Sequence, residues 1–232
     1  MALRAVLFDV DFTIAKPGPD LGPEGYRRLG ERFGLELDPE RYGEARAHAV
    51  ETLERHPELD HDEEVWVLFT EQIIRGMGGN TNRGNTNRAY ECAVEMTRAW
   101  EHAHNFQIFE DVLPAFADLR GRGLKLGLVS NTGRDLAAFI DHHGLDVDVA
   151  VSSGAHGKTK PHPTIFLAAL RQLDVEPADA VMVGDSIEDD VEGAKATGLH
   201  GILLDRENRY PEVADKLTDL RALPAALQLP PG

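Results

Sequence analysis

Two acidic side chains close the first apolar run of the chain. The segment AVLFDVDFTI places Asp9 directly after four apolar residues, Asp11 one valine later and Thr13 two residues beyond that. Two carboxylates this close resist ionising together unless a positive charge lies between them. The segment is therefore either a solvated strand end or one half of a site that depends on a cation.

Residues of complementary chemistry close two later apolar runs. Ser130 and Asn131 end the run LKLGLVSN, Asp185 ends the run AVMVGD, and Asp190 follows five residues later. Lys160 lies between these two runs. Carboxylates from two strands form an oxygen site of the kind that Mg²⁺ prefers, while hydroxyl groups and a lysine suit phosphate oxygens. The combination indicates a magnesium site that shares a phosphate group of the substrate.

The elements that must position these residues can be read from the apolar runs. Four runs are typical of buried strands, at 3–9, 124–131, 180–185 and 200–205. The run VDVAVSS, at 147–153, is a fifth candidate. Continuous apolar runs are typical of strands that are covered on both faces. Helical patterns lie between them at 111–123, 164–173 and 189–198. This alternation predicts a doubly wound α/β fold with a mostly parallel, Rossmann-like sheet, whose ligands bind beyond the carboxyl ends of the strands.

One long segment breaks the alternation and contains no convincing strand. Four helical patterns occupy it instead, near 23–34, 39–55, 61–77 and 88–103. We therefore predict an α/β core formed by residues 1–15 and 106–232, with residues 16–105 inserted after the first strand as an all-helical cap domain. The near-repeat NTNRGNTNR (80–88) inside the insert is typical of an exposed loop.

Apolar spacing on the third and fourth of these helical patterns predicts which faces pack inside a helical bundle. The face predicted for the third pattern consists of Val65, Leu68, Phe69, Ile73 and Met77. The face predicted for the fourth consists of Tyr90, Ala93, Val94, Thr97 and Trp100. We expect both faces to be buried.

Composition narrows the class of partner. The formal charge is −16, from 40 acidic and 24 basic residues, which disfavours nucleic acid and anionic membranes as partners. A small anionic substrate is still compatible with this charge, because the local charge of a site can oppose the overall charge. The single cysteine, Cys92, excludes an internal disulfide and a cysteine zinc site. The first apolar run is interrupted by acids, unlike a signal peptide, and no apolar stretch is long enough to span a bilayer. We expect a cytoplasmic protein.

Taken in order, the strand-end motifs resemble those of the haloacid dehalogenase superfamily, in its phosphatase branch. Four motifs match, and the core resemblance covers residues 1–14 and about 106–205. The helical insert is similar to the first type of cap domain in that family. The resemblance thus accounts for nearly the whole chain.

The resemblance implies the catalytic roles. Asp9 would be the nucleophile that forms an aspartyl-phosphate, and Asp11 would protonate the leaving oxygen and then activate the water. Lys160 would balance the charge of Asp9 and of the phosphoryl group. Because one acid attacks and the other moves a proton, both are needed, and a magnesium ion and a lysine allow them to coexist.

The resemblance also implies the ligands. The transferring phosphoryl group would be bound by Thr13, Ser130, Asn131 and Lys160. The magnesium ion would be bound by the Asp9 carboxylate, the Asp11 backbone carbonyl, Asp185 and an outer acid, Asp190. For that outer acid Asp189 is an alternative, although the following VEGA favours Asp190.

Two further positions are open. Lys158 is an alternative to Lys160, although the Lys-Pro pair followed by TIF favours Lys160. Phe12 stands where the family usually has glycine, which bears on the size of the substrate more than on the chemistry.

The sequence therefore predicts a magnesium-dependent phosphatase acting on a small phosphorylated metabolite, as a monomer or a homodimer. A phosphomutase uses the same residues and is an alternative. A 2-haloacid dehalogenase of the same fold needs neither a metal nor a second acid, so Asp11 argues against it. A phospho-accepting receiver domain lacks a helical insert after the first strand. A non-catalytic binding relative is the remaining alternative, and no motif residue is missing to support it.

Overall fold

The computed structural model describes residues 3–53, 55–79 and 87–229. The chain divides into two compact units. The larger is formed by Met1–Lys16 with Gln107–Gly232, and the smaller by Pro17–Phe106.

The described residues form seven strands: β1 Ala5–Phe8, β2 Ala15–Pro17, β3 Phe106–Ile108, β4 Lys125–Ser130, β5 Val149–Ser152, β6 Ala180–Gly184 and β7 His200–Leu203. Five of them form one sheet in the order β5-β4-β1-β6-β7, and every pairing in it is parallel. All five strands predicted from apolar runs are present, which confirms the doubly wound α/β class. β2 and β3 form a separate two-stranded sheet where the chain passes between the two units.

The register of the sheet brings the strand ends to one level. β1 lies in the centre and its four residues are fully buried. Phe8, its last residue, lies beside Leu128 of β4 and Val183 of β6. Asp9, Ser130 and Asp185 follow these positions by one or two residues. The polar residues of three separate segments are therefore presented at the same edge of the sheet.

The described helices of both units are α1 Pro23–Arg32, α2 Tyr42–Glu51, α3 Glu63–Gly76, α4 Asn87–Trp100, α5 Val112–Gly121, α6 Leu136–His143, α7 Ser153–His156, α8 Pro163–Leu173, α9 Gly193–Thr197 and α10 Leu223–Ala226. α5 buries the face formed by Val112, Ala115, Phe116 and Leu119, and the Phe116 ring lies 4.8 Å from the ring of Phe8. α8 begins with Pro163, whose fixed φ suits a first helical position, after the capping residue His162. Its apolar face packs against the central strands and so fixes the loop before it, which contains Lys160.

One predicted helix has a different form. The segment 189–198 is α-helical only from Gly193, and Ile187–Glu192 forms a π-helix with a wider turn. Two local hydrogen bonds support this turn: the Ser186 hydroxyl accepts from the Asp189 amide at 3.1 Å, and the Asp190 carboxylate accepts from the Ser186 amide at 3.0 Å. The extra residue in the turn directs Asp190 back towards its own strand end.

Each of the four helical patterns predicted between the first and second major strands contains a helix, α1 to α4. The buried faces of α3 and α4 are rotated from the prediction. α3 buries Val67, Thr70, Ile73 and Ile74, while Leu68 is 45% exposed. α4 buries Ala89, Cys92, Ala93 and Met96. The reason is that α3 packs against both α2 and α4, so its buried face is set by two neighbours and not by one apolar stripe.

Residues 80–86 of the near-repeat lie outside the described residues, and its last two, Asn87 and Arg88, begin α4. In the C-terminal part, the structure contains the short α10, preceded by a 3₁₀ turn at Leu220–Ala222. Among the described residues, no helix has the length and apolar character that crossing a membrane requires.

Candidate active site

Three buried carboxylates meet at the edge of the sheet. Asp9 follows β1, Asp185 follows β6, and Asp190 lies in the π-helix. Each offers an oxygen, and these three oxygens lie within 4.8 Å of one another. Gly184 makes the approach possible, because a Cβ at that position would lie 2.1 Å from the carboxyl carbon of Asp190. The close approach thus depends on a glycine at the end of β6.

Lys160 brings a positive charge into this cluster. Its side chain is 2% exposed, and its Nζ donates to Asp9 Oδ1 at 2.6 Å and to Asp190 Oδ1 at 2.7 Å. Of the two candidate lysines, the structure places Lys160 on Asp9. With all groups ionised, the three carboxylates and this ammonium sum to −2, and the guanidinium of Arg209, which contacts Asp185, brings the total to −1.

The pKa values of two of these acids are raised, as expected where carboxylates are buried beside one another. Burial raises the pKa of Asp9 well above its usual range; Lys160 opposes the rise, and Asp190 and Asp185 add to it. Burial, followed by the charge of Asp190, raises the pKa of Asp185 to about 6. Burial by itself would lower the pKa of Lys160, but the carboxylates of Asp190 and Asp9 raise it above its usual value. An additional cation would allow all three acids to ionise.

The donor set fits a hard divalent cation. It consists of carboxylate oxygens from three residues in a negatively charged pocket, which suits Mg²⁺. Asp190, and not its neighbour Asp189, belongs to the cluster; Asp189 Oδ2 lies 3.5 Å from the Nδ2 of Asn131. The sequence left these two acids open, and the π-turn decides between them.

The Asn131 side chain binds the backbone of Lys160 on both sides. Its Oδ1 accepts from the Lys160 amide at 2.7 Å, and its Nδ2 donates to the Lys160 carbonyl at 3.1 Å. Asn131 therefore positions the lysine. Its expected contact with a phosphoryl group stays a prediction, as does that of Ser130, which is buried at the end of β4.

Thr13 is fully buried, and its Oγ1 has no hydrogen-bond partner among the described residues. A buried hydroxyl group with unused bonding capacity is uncommon in native structures. Its backbone carbonyl accepts from Arg206 Nε at 2.9 Å, and the Arg206 guanidinium also pairs with both oxygens of Asp111. Arg206 thus ties the loop after Asp11 to the segment where the chain re-enters the larger unit. No pattern in the sequence around Arg206 had predicted its contacts with Thr13 and Asp111.

Phe12 has a φ of 64°, in the left-handed region that glycine adopts without strain. Its amide donates to the carbonyl of Ala15 at 2.6 Å, which closes the turn that follows Asp11. The left-handed φ gives a physical reason for the glycine that usually stands at this position in the family that the sequence resembles.

Asp11 does not join the carboxylate cluster. Its Oδ1 accepts from Arg134 Nη1 at 3.0 Å and its Oδ2 from Arg134 Nη2 at 3.3 Å. The Arg134 side chain is 1% exposed. The sequence did not predict this contact, because only the serine and the asparagine of the segment SNTGRD were assigned a role. An arginine four residues after Ser130, in the same loop at a strand end, is the signal that would have found it.

A third arginine, Arg209, contacts the carboxylate cluster itself. Its Nη2 donates to the backbone carbonyl of Asp185 at 2.8 Å and to the Asp185 carboxylate at 2.6 Å. The loop that carries it is organised by Asp205, which is fully buried and accepts from the Arg209 amide at 2.8 Å and from Lys216 Nζ at 2.8 Å. Nothing in the local sequence pattern had indicated this contact.

Comparison with known proteins agrees with this geometry. A family model described as haloacid dehalogenase-like hydrolase matches residues 3–198. A glyceraldehyde 3-phosphate phosphatase from Methanopyrus kandleri is 29% identical over 228 residues, which is 94% of this chain and 90% of the relative.

Solved structures of the same fold cover almost the full length. A HAD phosphatase from Thermococcus onnurineus has a TM-score of 0.65 and 27% identity, covering 99% of this chain and 100% of that one. A 2-haloacid dehalogenase from Pseudomonas syringae has a TM-score of 0.62 and 24% identity, covering 97% and 98%, and this likeness concerns the fold alone. The family model, the parallel sheet and the strand-end carboxylates lead to one conclusion: this chain belongs to the haloacid dehalogenase-like hydrolase family.

Proposed function

We propose that this hydrolase is a Mg²⁺-dependent phosphatase that cleaves a small phosphate monoester through an aspartyl-phosphate on Asp9. The observation that carries the proposal is the buried cluster of Asp9, Asp185 and Asp190 with the ammonium of Lys160 on two of its members. Three acids at a strand edge beside one lysine are suited to a reaction that proceeds by positioning and charge neutralisation.

In the first step, an oxygen of the Asp9 carboxylate attacks phosphorus and the bond from phosphorus to the leaving oxygen breaks. Asp11 donates a proton to that oxygen, so that an alcohol leaves. In the second step, water attacks the phosphorus of the aspartyl-phosphate and gives its proton to Asp11. The bond from phosphorus to Asp9 breaks, and inorganic phosphate and the free carboxylate are regenerated.

The remaining residues have supporting tasks. Lys160 neutralises Asp9 and the phosphoryl oxygens, and Thr13, Ser130 and Asn131 bind those oxygens. Asp9, Asp185, Asp190 and the backbone carbonyl of Asp11 would hold the Mg²⁺ ion, which supplies positive charge beside the phosphoryl group. The division into a catalytic core, 1–15 with 106–232, and a helical cap, 16–105, belongs to the same proposal.

The alternatives predict a different use of these residues. A 2-haloacid dehalogenase needs a nucleophile but neither a metal nor a second acid, so the proton-carrying Asp11 would have no task. A phosphomutase would use every residue of the site but return the phosphoryl group to an organic acceptor and not to water. Release of inorganic phosphate therefore separates the phosphatase from both.

The first test is the hydrolysis of p-nitrophenyl phosphate with Mg²⁺, with excess EDTA, and after Mg²⁺ is restored. We expect release of phosphate that EDTA abolishes and Mg²⁺ restores. Asp9→Asn should be inactive but folded, because an amide of the same shape cannot attack phosphorus. Asp174→Asn is the matched control: it makes the same change in a left-handed residue at the end of α8, a conformation that asparagine adopts readily.

Activity that survives EDTA, or an active Asp9→Asn protein, would overturn the proposal. If no phosphate is released, assays for chloride release from a 2-haloacid and for phosphoryl transfer between two sugar-phosphate positions identify which alternative replaces it.

A further inference from the structure

Arg134 is a buried cation whose guanidinium group donates two hydrogen bonds to the Asp11 carboxylate, one from each of two nitrogens. The bonds to Asp11 measure 3.0 and 3.3 Å, one to each carboxylate oxygen, and the Asp11 side chain is 22% exposed. A fork of this kind constrains both the distance and the plane of the carboxylate. The arginine belongs to the loop that follows the proposed phosphate-binding residues Ser130 and Asn131.

The arginine itself is held in place. Its amide donates to the Thr132 Oγ1 at 3.1 Å, and its guanidinium lies 5.3 Å from the ring centroid of Phe139, on α6. Asp135 caps the same helix by accepting from the amides of Ala137 and Ala138. Arg134 therefore stands on a short loop between β4 and a capped helix, which limits its movement.

Asp11, by contrast, immediately precedes the tight turn that the hydrogen bond from the Phe12 amide to the Ala15 carbonyl closes. Its backbone is fixed there, but its carboxylate can still rotate about two side-chain torsions. The cluster of Asp9, Asp185 and Asp190 does not include it. The two hydrogen bonds from Arg134 hold the Asp11 carboxylate in one of these orientations.

We propose that Arg134 is a positioning residue that fixes the direction of the Asp11 carboxylate for proton transfer. This inference rests on the proposed function, because it assigns a supporting residue to the acid and base of that reaction. A displacement of about 1 Å in a reacting group can lower a rate by about 100-fold, so orientation is a large effect.

The first experiment compares Arg134→Ala and Arg134→Lys on p-nitrophenyl phosphate and on an alkyl phosphate with Mg²⁺. We expect Arg134→Ala to lower kcat about 100-fold on the alkyl phosphate and to leave KM within about twofold, since Asp11 does not bind the phosphoryl group. The loss should be smaller on p-nitrophenyl phosphate, whose leaving group departs with less need of a proton donor. Lysine keeps the charge but not the fork, so we expect it to recover only part of kcat.

The second experiment is rescue by free guanidinium ion. Arg134 lines a cavity of about 630 Å³ between α6 and β5, whose wall also includes Leu136, Ile140, Val149 and Ser152. The Asp11 carboxylate is itself 22% exposed, so a free guanidinium ion can approach it from solvent once Arg134→Ala removes the side chain. Millimolar guanidinium chloride should raise kcat of Arg134→Ala at least about tenfold, whereas sodium chloride at equal ionic strength should not. The double variant Asp11→Asn with Arg134→Ala should show no rescue.

The outcomes separate the inference from the proposed function. If the wild-type protein releases no phosphate from either ester with Mg²⁺, the proposed function fails and the inference falls with it. If the wild type is active but Arg134→Ala changes KM and not kcat, or loses equal activity on both esters without rescue, only the inference is overturned. Circular dichroism checks folding, and if the alanine variant is unfolded, the leaving-group comparison on Arg134→Lys decides.

Discussion

Replacing Lys160 with methionine tests whether its ammonium group is what allows three carboxylates to share one buried site. The Lys160 side chain is 2% exposed, and its Nζ lies 2.6 Å from Asp9 and 2.7 Å from Asp190. Removing one partner of a buried ion pair destabilises a protein by about 3–5 kcal/mol, because the remaining charge stays buried without a counter-charge. We expect Lys160→Met to lower the free energy of unfolding by this amount at pH 7 in EDTA. For a chain of this size that corresponds to a melting temperature about 6–20 °C lower.

The deficit should shrink as the pH falls. Burial and then the charge of Asp190 raise the pKa of Asp185 to about 6, and burial raises that of Asp9 well above its usual range. The folded cluster therefore takes up protons at pH values where the unfolded chain has ionised carboxylates, so protonation can replace the missing ammonium. The difference between wild type and variant should be smaller at pH 5 than at pH 7.

Thermal unfolding followed by circular dichroism, in EDTA at both pH values, measures this difference. Lys195→Met is the matched control, because Lys195 is 54% exposed and pairs with Glu192 on the protein surface. An exposed pair contributes at most about 1 kcal/mol, so the control should barely shift the midpoint. A Lys160→Met protein that melts like the control at pH 7, or whose deficit grows at pH 5, would refute the reasoning.

Three further predictions concern the charges around the cluster. Asp11→Asn should lower kcat by about 100-fold or more but leave the Mg²⁺ Kd, measured by calorimetry, within about twofold, because its proposed metal contact is the backbone carbonyl. Equal losses of kcat and of Mg²⁺ affinity would count against its role. Arg209→Gln should tighten Mg²⁺ binding by about tenfold in the same measurement, since the guanidinium on Asp185 repels the metal ion. Arg221→Gln, which removes an exposed pair with Glu110, is the control, and an unchanged Mg²⁺ affinity of Arg209→Gln would contradict the prediction. In EDTA, the free energy of unfolding of the wild type, measured relative to that of Asp185→Asn, should fall as the pH rises from 5 to 7. The reason is that the folded pKa of Asp185, about 6, lies above its usual value, so the folded state with Asp185 binds more protons than the unfolded state; a relative stability that rises over this range would show the opposite linkage.

The α/β architecture could be predicted from the sequence because it is encoded in local patterns. The apolar runs that contain β1, β4, β5, β6 and β7 are continuous, and only strands covered on both faces can bury such runs completely. The pattern does not specify the order of these strands in the sheet, but it does specify which polar residues stand at their ends. Asp9, Ser130 and Asp185 come together because, in addition, β1 lies between β4 and β6 in the sheet.

The buried faces of the helices show where local pattern is insufficient. On α3, spacing selected Leu68, which is 45% exposed, and the structure buries Thr70 instead. The buried face of a helix depends on which neighbours the helix meets, and apolar spacing does not record the neighbours. The wider π-turn before α9 was missed for a different reason, because it depends on local hydrogen bonds of the Ser186 and Asp190 side chains with the backbone, which apolar spacing does not show either.

By itself, the sequence determined the strands and their carboxyl-end chemistry, since each depends on residue type and on spacing within one segment. The order of four such motifs along the chain carried the resemblance to the family. Only the tertiary structure decided which of two adjacent acids joins Asp9, and which lysine reaches it. It also decided that Arg134 and Arg209 contact Asp11 and Asp185, across 123 and 24 residues of sequence. Contacts between distant segments are formed by long side chains that cross between strand ends. Their partners are set by the packing of the sheet and its loops, which no single segment encodes.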